Sequence, residues 1–299
     1  MAQSTINAKA AGTFVIGGDL HVNRVGFGAM RITGKGIWGP PADRSSAIAV
    51  VRRAVEVGVN LIDTADSYGP DVSEEIIAEA LVPYKHDVVI ATKGGHTRSG
   101  PDQWTPAGSP RHLRQALEGS LARLRLERID LYQLHRPDPK VPFEDSVGVL
   151  AEMQREGKIR HIGLSNVNVA EIEAARAIVE IVSVQNRFNN ASGGSAEFNH
   201  VKDDETIEVV DYCTKHGIAF FPWGPLAAGR LANERLDNVA EAHGVTSNQI
   251  AIAWLLHRSP VIIPIPGTAS IAHLEENVAA GAIALDDAEF RSLSVAGPG

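Results

Sequence analysis

The feature that most limits what this chain can become is an alternation that begins near Arg24. Short aliphatic and β-branched runs are followed by longer stretches with helical spacing. The runs are Val25–Phe27, Val59–Ile62, Val88–Ala91, Ile129–Leu134, Ile159–Gly163, Ile181–Val184, Ile218–Phe221 and Val261–Ile263. Several are apolar almost throughout, which suits strands covered on both faces in a parallel sheet. Between them, Ala47, Val50, Val51, Ala54 and Val55 form a helical stripe ending near Gly58. Leu113, Ala116, Leu117, Leu121 and Leu124 form another, opened by Ser109-Pro110 as N-cap and first-turn proline. Ser247 is placed to cap a helix carrying Ile250, Ala253 and Trp254.

Eight strands, most followed by a helix, predict an α/β fold with a single (β/α)8 barrel. A doubly wound sheet is the competitor, but no glycine-rich turn of Rossmann spacing follows an early strand. Gly26-x-Gly28 leads instead into Met30 and a Gly/Pro-rich loop. Ahead of the first strand, Thr13–Val22 reads as a β-hairpin turning at Gly17-Gly18, able to plug the barrel bottom. Residues 1–12 read as a flexible N-terminal segment and 13–299 as one catalytic barrel domain. Three connections are long, Arg31–Pro41, Gly94–Gly108 and Arg187–Lys202, as lids and binding loops are.

Composition excludes some functions. With 28 Lys+Arg against 36 Asp+Glu, the formal net charge of −8 lacks the basic footprint of a general nucleic-acid binder. The single cysteine, Cys213, rules out an intrachain disulfide and a zinc site built on several thiolates. No segment approaches the roughly 20 apolar residues of a membrane helix. Met1–Gly12 lacks the apolar stretch of a secretory signal, so the chain reads as soluble and most simply cytoplasmic.

Barrel active sites lie at the C-terminal ends of the strands. Asp63 ends the second run, Lys93 the third and His135 the fourth, and Tyr68 follows Asp63 by five residues. Singly, Asp63 reads as a helix cap, His135 as a structural imidazole and Tyr68 as a turn aromatic. Lys93 is harder to dismiss, because a lysine closing an apolar strand needs a partner if buried. Together they suit proton donation to a carbonyl oxygen. A phenol of pKa about 10 is a poor acid until a neighbouring ammonium stabilises its phenolate. Asp63 would hold Lys93, and His135 would hydrogen-bond the substrate oxygen or relay a proton. Electrons must come from a hydride donor. A metal-dependent barrel enzyme fits poorly, since Lys93 between Asp63 and His135 would repel a cation.

The residues also carry a family resemblance. From roughly Thr13 to Leu293 the chain resembles the aldo-keto reductases, whose signatures Asn60–Gly69, Ile90–Lys93, Asp130–Pro137, Ile162–Asn166 and Val184–Asn186 match in order and spacing. The resemblance implies a (β/α)8 barrel, a nicotinamide cofactor (usually NADPH) bound extended, and reduction of an aldehyde or ketone to an alcohol. It makes Asp63, Tyr68, Lys93 and His135 the catalytic tetrad, with Tyr68 the general acid. It places Gly28, Met30 and Asp63 among the cofactor-binding positions, and Ser165, Asn166 and Gln185 on the nicotinamide carboxamide. Trp223 stands where the family usually has a stacking aromatic, and would otherwise be a core or substrate-pocket residue. Gly224, Leu226 and Gly229 fall in the loop over the pyrophosphate.

At the adenosine end, Thr268, Glu276 and Asn277 match the family, the last two as adenine contacts. Gly267 replaces a common phosphate-binding lysine, and His273 replaces an arginine that commonly meets the 2′-phosphate. A histidine is a weaker and pH-dependent phosphate partner, so NADH use is left open beside NADPH. The substrate is a small-molecule carbonyl, with Trp38 and Trp104 as candidate walls beside Tyr68 and His135. The stretches Gly26–Arg44, Ala151–Asn166 and Trp254–Asn277 are similar to a bacterial subgroup that includes pyridoxal reductases, while relatives of this layout also reduce bulkier cyclic ketones. A cofactor-sensing regulatory subunit is the alternative in another functional class. Oligomeric state is not legible.

Overall fold

The computed structural model describes residues 6–192, 197–198, 200–226 and 234–294. The first strands, β1 (Thr13–Ile16) and β2 (Leu20–Asn23), form an antiparallel hairpin. Gly17 and Gly18 turn it with φ of 58° and 81°, the left-handed region that glycine enters freely.

Seven strands then pair in parallel. They are β3 (Phe27–Gly28), β4 (Leu61–Asp63) and β5 (Val89–Gly94), followed after an antiparallel excursion, β6 (His96–Gly100) and β7 (Gln103–Pro106), by β8 (Ile129–Leu134). Next come β9 (Ile159–Ser165) and β10 (Ile181–Gln185), a second small pair, β11 (Glu197–Phe198) and β12 (Val201–Lys202), and finally β13 (Ala219–Phe220). The sheet order is β3-β4-β5-β8-β9-β10-β13.

Residues 261–266 join the two outer strands. Ile263 N donates to Phe220 O at 2.9 Å, and Gly26 N donates to Pro264 O at 2.9 Å. The run Val261–Ile263, expected as a full strand, makes a single bridge from Ile262 to Phe220. Pro260, Pro264 and Pro266 carry no N–H, so the ladder cannot extend through them.

Ten α-helices are described: α1 (Arg44–Glu56), α2 (Val72–Leu81), α3 (Pro110–Leu124), α4 (Phe143–Arg155), α5 (Val169–Arg176), α6 (Asp203–His216), α7 (Glu234–His243), α8 (Ser247–Arg258), α9 (Ile271–Ala279) and α10 (Asp287–Ser294). Ser109 caps α3 ahead of Pro110, as its sequence predicts. The cap of α8 is Thr246 and not Ser247, because Thr246 and Gln249 exchange bonds in a capping box.

Both sheet faces are buried, which explains the near-continuous apolar runs. Ile62, Ile90, Ile162 and Val184 pack with helix residues such as Val51, Ile77, Leu117 and Val147. On the other face Leu61, Val89, Leu131, Val182 and Ala219 gather around Ile16, Leu20 and Val22 of the hairpin.

Within the segment ahead of the hairpin, Ala8–Ala11 is a 3-10 turn capped by Asn7, with Ala8 fully buried and its N–H on Val57 O at 2.8 Å. The long connection Gly94–Gly108 is built on the β6–β7 hairpin. Cys213 is buried, and burial pushes its thiol up to about 12. Among the described residues, no helix is long and apolar enough to cross a membrane.

Candidate active site

Parallel pairing sets Asp63 of β4 opposite Ala91 of β5, and Lys93 of β5 opposite Gln133 of β8. The side chains meet between the strands. Lys93 Nζ lies 2.8 Å from both oxygens of Asp63 and 2.7 Å from Thr64 O, so all three ammonium protons have acceptors. Gln185 Nε2 also donates to Asp63 Oδ1 at 2.9 Å, and Gln133 Nε2 does so at 3.3 Å. All are buried. Burial alone would depress the Lys93 pKa, but the Asp63 charge, with Tyr68 and the hydrogen bonds, reverses this and raises it. The lysine therefore stays charged.

Tyr68, on the loop between β4 and α2, has its ring centroid 5.2 Å from Lys93 Nζ and 5.8 Å from the His135 ring. Burial raises the phenol pKa. The Lys93 charge pulls it down, Asp63 and Asp66 push it up, and the net direction is upward. The lowering expected from the ammonium is thus outweighed by burial, and the phenol keeps its proton at neutral pH. His135 is pushed well below the ordinary imidazole range by burial, then by His96, Lys93, Arg136 and Arg98. It is a neutral ring, suited to a hydrogen bond at a carbonyl oxygen. Ser67 Oγ lies 3.4 Å from its Nδ1.

The strand-end amides converge on the same place. Asn166, with φ of 57°, donates from Nδ2 to His135 O at 3.0 Å and to Ser165 Oγ at 2.9 Å. Trp223 Nε1 donates to Asn166 Oδ1 at 3.2 Å. Two amides, a hydroxyl and a half-buried indole thus stand together beyond β9 and β10. That donor and acceptor set fits a flat ring bearing a carboxamide. Gly224 and Leu226 follow Trp223 and are partly buried, while Gly229 lies outside the described residues.

The other end of the cradle is built on backbone contact. A Cβ on Gly28 would stand 2.5 Å from Ile265 O, and one on Gly267 would stand 2.7 Å from Gly28 O. The same Gly267 position is 3.5 Å from Cγ of Arg31, an exposed cation beside the half-buried Met30. Thr268 Oγ1 accepts from Ser270 N at 3.0 Å, and Ser270 caps α9. His273 and Glu276 are exposed on that helix and Asn277 is buried.

The two candidate walls separate. Trp104 lies 6.2 Å, ring to ring, from both Tyr68 and His135. Trp38 is set back, 5.8 Å from the Arg98 guanidinium. Arg98 lies 3.6 Å over the Trp104 ring and donates to the carbonyls of Gly36, Ile37, Ser67 and Gln103. Sequence reasoning missed Arg98, Gln133 and His96. His96 is 7 % exposed, its ring 4.3 Å from His135 and 5.6 Å from Trp104. The one available signal was the spacing of His96 and Arg98 on a strand just past Lys93.

Comparison with known proteins identifies the family. The model of the aldo/keto reductase family matches residues 24–296. The chain is 48% identical to an uncharacterized oxidoreductase of Schizosaccharomyces pombe over 298 residues, covering 99% of this chain and 93% of that one. It is 44% identical to the pyridoxine 4-dehydrogenase of Escherichia coli over 292 residues, covering 95% and 98%. It is also similar to the crystal structure of an aldo/keto reductase from Klebsiella pneumoniae in complex with NADP and acetate. There the TM-score is 0.77 at 27% identity, with 94% and 93% of the chains covered.

Proposed function

The chain belongs to the aldo/keto reductase family, and from that premise we propose that it is an NADPH-dependent reductase of small carbonyl compounds, with pyridoxal-type aromatic aldehydes as leading substrates. The observation that carries this reading is the buried Lys93–Asp63 pair beside Tyr68 and His135. In this reading residues 261–266 are the eighth strand of a (β/α)8 barrel, and 13–299 form one catalytic domain.

The cofactor end is assigned to Gly28, Met30, Ser165, Asn166, Gln185, Trp223, Gly224, Leu226 and the segment from Gly267 to Asn277, with Gly229 in the covering loop. When bound, the nicotinamide supplies the hydride. Gln185, its Nε2 held by Asp63, keeps its amide oxygen for an incoming carboxamide. Trp223 offers the stacking face. Arg31 is a cation available to the adenosine phosphate, with the His273 imidazole beside it in this reading, which leaves NADH use open.

Tyr68 gives its proton to the carbonyl oxygen. Lys93 stabilises the phenolate left behind, while Asp63 fixes the ammonium. His135, neutral, donates a hydrogen bond to the same oxygen. Trp104 forms one wall of the substrate site. The name of the Escherichia coli relative supports a pyridoxal-type substrate.

The test is absorbance at the reduced-nicotinamide band. NADPH and NADH are offered with pyridoxal, simple aldehydes and cyclic ketones, to the protein and to Tyr68→Phe. Tyr68-dependent NADPH consumption with pyridoxal is expected. Cofactor binding without turnover of any carbonyl would favour the sensor reading, and no binding would remove the cradle assignment.

A further inference from the structure

His96 takes no part in the chemistry assigned above, yet it stands inside the ring cluster. It is the first residue of β6, brought back over the strand ends by Gly95, whose φ is 114°. Its ring packs edge-on against both His135 and Trp104, the two aromatic neighbours that also face Tyr68. Both of its ring nitrogens are buried and, among the described residues, neither has a hydrogen-bond partner. Buried polar atoms in folded proteins are nearly always paired, so an imidazole with two orphan nitrogens beside a catalytic cluster points to a ligand atom.

The chemistry of that atom follows from the ring's state. Burial, with the Arg136, Arg98 and Lys93 charges around it, pushes His96 down to about 3. A neutral imidazole offers one donor and one acceptor, and a hydroxyl can answer either. Position is set by the 4.3 Å ring separation from His135, which puts the atom that His96 addresses close to the carbonyl oxygen that His135 addresses. On an aromatic aldehyde, a hydroxyl ortho to the aldehyde group stands that close to the carbonyl oxygen.

We propose that His96 is a specificity-determining residue that hydrogen-bonds a hydroxyl on the carbon adjacent to the one bearing the carbonyl group. The preferred substrates are then ortho-hydroxy aromatic aldehydes, of which pyridoxal, with its phenolic hydroxyl beside the aldehyde, is one. The inference rests on the reductase reading above.

The experiment compares kcat/KM for 2-hydroxybenzaldehyde and 4-hydroxybenzaldehyde, each divided by its rate with borohydride to remove intrinsic reactivity. Wild type is expected to prefer the 2-hydroxy isomer at least tenfold. His96→Phe should lose at least tenfold of that preference, chiefly through KM, and His96→Gln should keep an intermediate preference because its amide also donates and accepts. No isomer preference in wild type overturns the proposal even if a variant fails to fold. An equal loss on both isomers in His96→Phe overturns it as well. Either result leaves the reductase reading intact, whereas no turnover of either aldehyde with NADPH or NADH overturns both.

Discussion

Lys93 Nζ stands 2.8 Å from each oxygen of Asp63, and neither side chain reaches solvent to any extent. A pair buried to this degree is strongly coupled, because removing one partner strands the other's charge in a poor dielectric. Lys93→Met should therefore cost about 3–5 kcal/mol in urea unfolding. Adding Asp63→Asn should restore much of the loss, since the stranded charge is gone. A double variant no more stable than Lys93→Met alone would show that packing, not the uncompensated carboxylate, sets the cost.

That pair was legible in the sequence because Asp63, Lys93 and His135 are each the polar end of an apolar run. Ending consecutive strands of a parallel sheet is enough to bring them together. The rest depended on backbone geometry that composition does not carry. His96 and Arg98 enter the site only because Gly95 turns the chain back over the strand ends. The register of β6 with β7 then aims Arg98 at Trp104. The run Val261–Ile263 is visible as an apolar stretch, but Pro260 and Pro264 flank it and leave it a single bridge. The sign of the Tyr68 shift was missed because burial is a property of the folded loop, while the charge of Lys93 is evident from its name.

Tyr68→Phe removes one oxygen from a ring that remains packed. If Tyr68 is the general acid, turnover should fall by about 10²–10⁴-fold. NADPH affinity, read by fluorescence titration, should change less than about twofold, because the strand-end amides proposed to meet the nicotinamide are untouched. A variant retaining most of its turnover would end the assignment of the phenol as acid.

Acid should destabilise this fold through two histidines. His96, pushed down to about 3, and His135, pushed well below its ordinary range, are both neutral in the folded chain, with Lys93, Arg98 and Arg136 facing them. In the unfolded chain each returns to about 6.5. Below that pH the unfolded state binds protons that the folded state refuses. Stability present above pH 6.5 is therefore lost as pH falls, by up to about 1.4 kcal/mol per pH unit for each ring. Urea midpoints at pH 7 and pH 5 should show this slope, and His96→Phe should remove one ring's share. An unchanged slope in that variant would mean that other groups govern acid sensitivity.

Arg98 staples three segments around the site by donating to the carbonyls of Gly36, Ile37, Ser67 and Gln103 while covering Trp104. A lysine keeps the charge but lacks the planar fork and its five donors. Arg98→Lys should lower kcat/KM by roughly 10- to 150-fold, the equivalent of losing about 1.5–3 kcal/mol of charged hydrogen bonding. The change should fall mainly on KM, because the wall moves and the tetrad does not. A fall confined to kcat would instead tie Arg98 to the chemical step.

The resemblance to the family sets Gly267 where a phosphate-binding lysine would be expected, and the backbone explains why a lysine does not simply belong there. A Cβ at 267 would stand 2.7 Å from Gly28 O, while Gly28 is itself pressed against Ile265 O. Neither contact is with a flexible side chain that can swing away. Gly267→Lys should therefore destabilise the protein by about 1–3 kcal/mol, as overpacking does. If this strand–loop junction cradles the cofactor as proposed, the change should also weaken NADPH and NADH alike, since the junction must open. Removing a cation already in place tests the complementary point: Arg31→Gln should weaken NADPH binding more than NADH binding, because only the first carries the extra phosphate. If Gly267→Lys tightened NADPH selectively, the glycine contact would be pliable and the missing lysine alone would explain any relaxed cofactor preference.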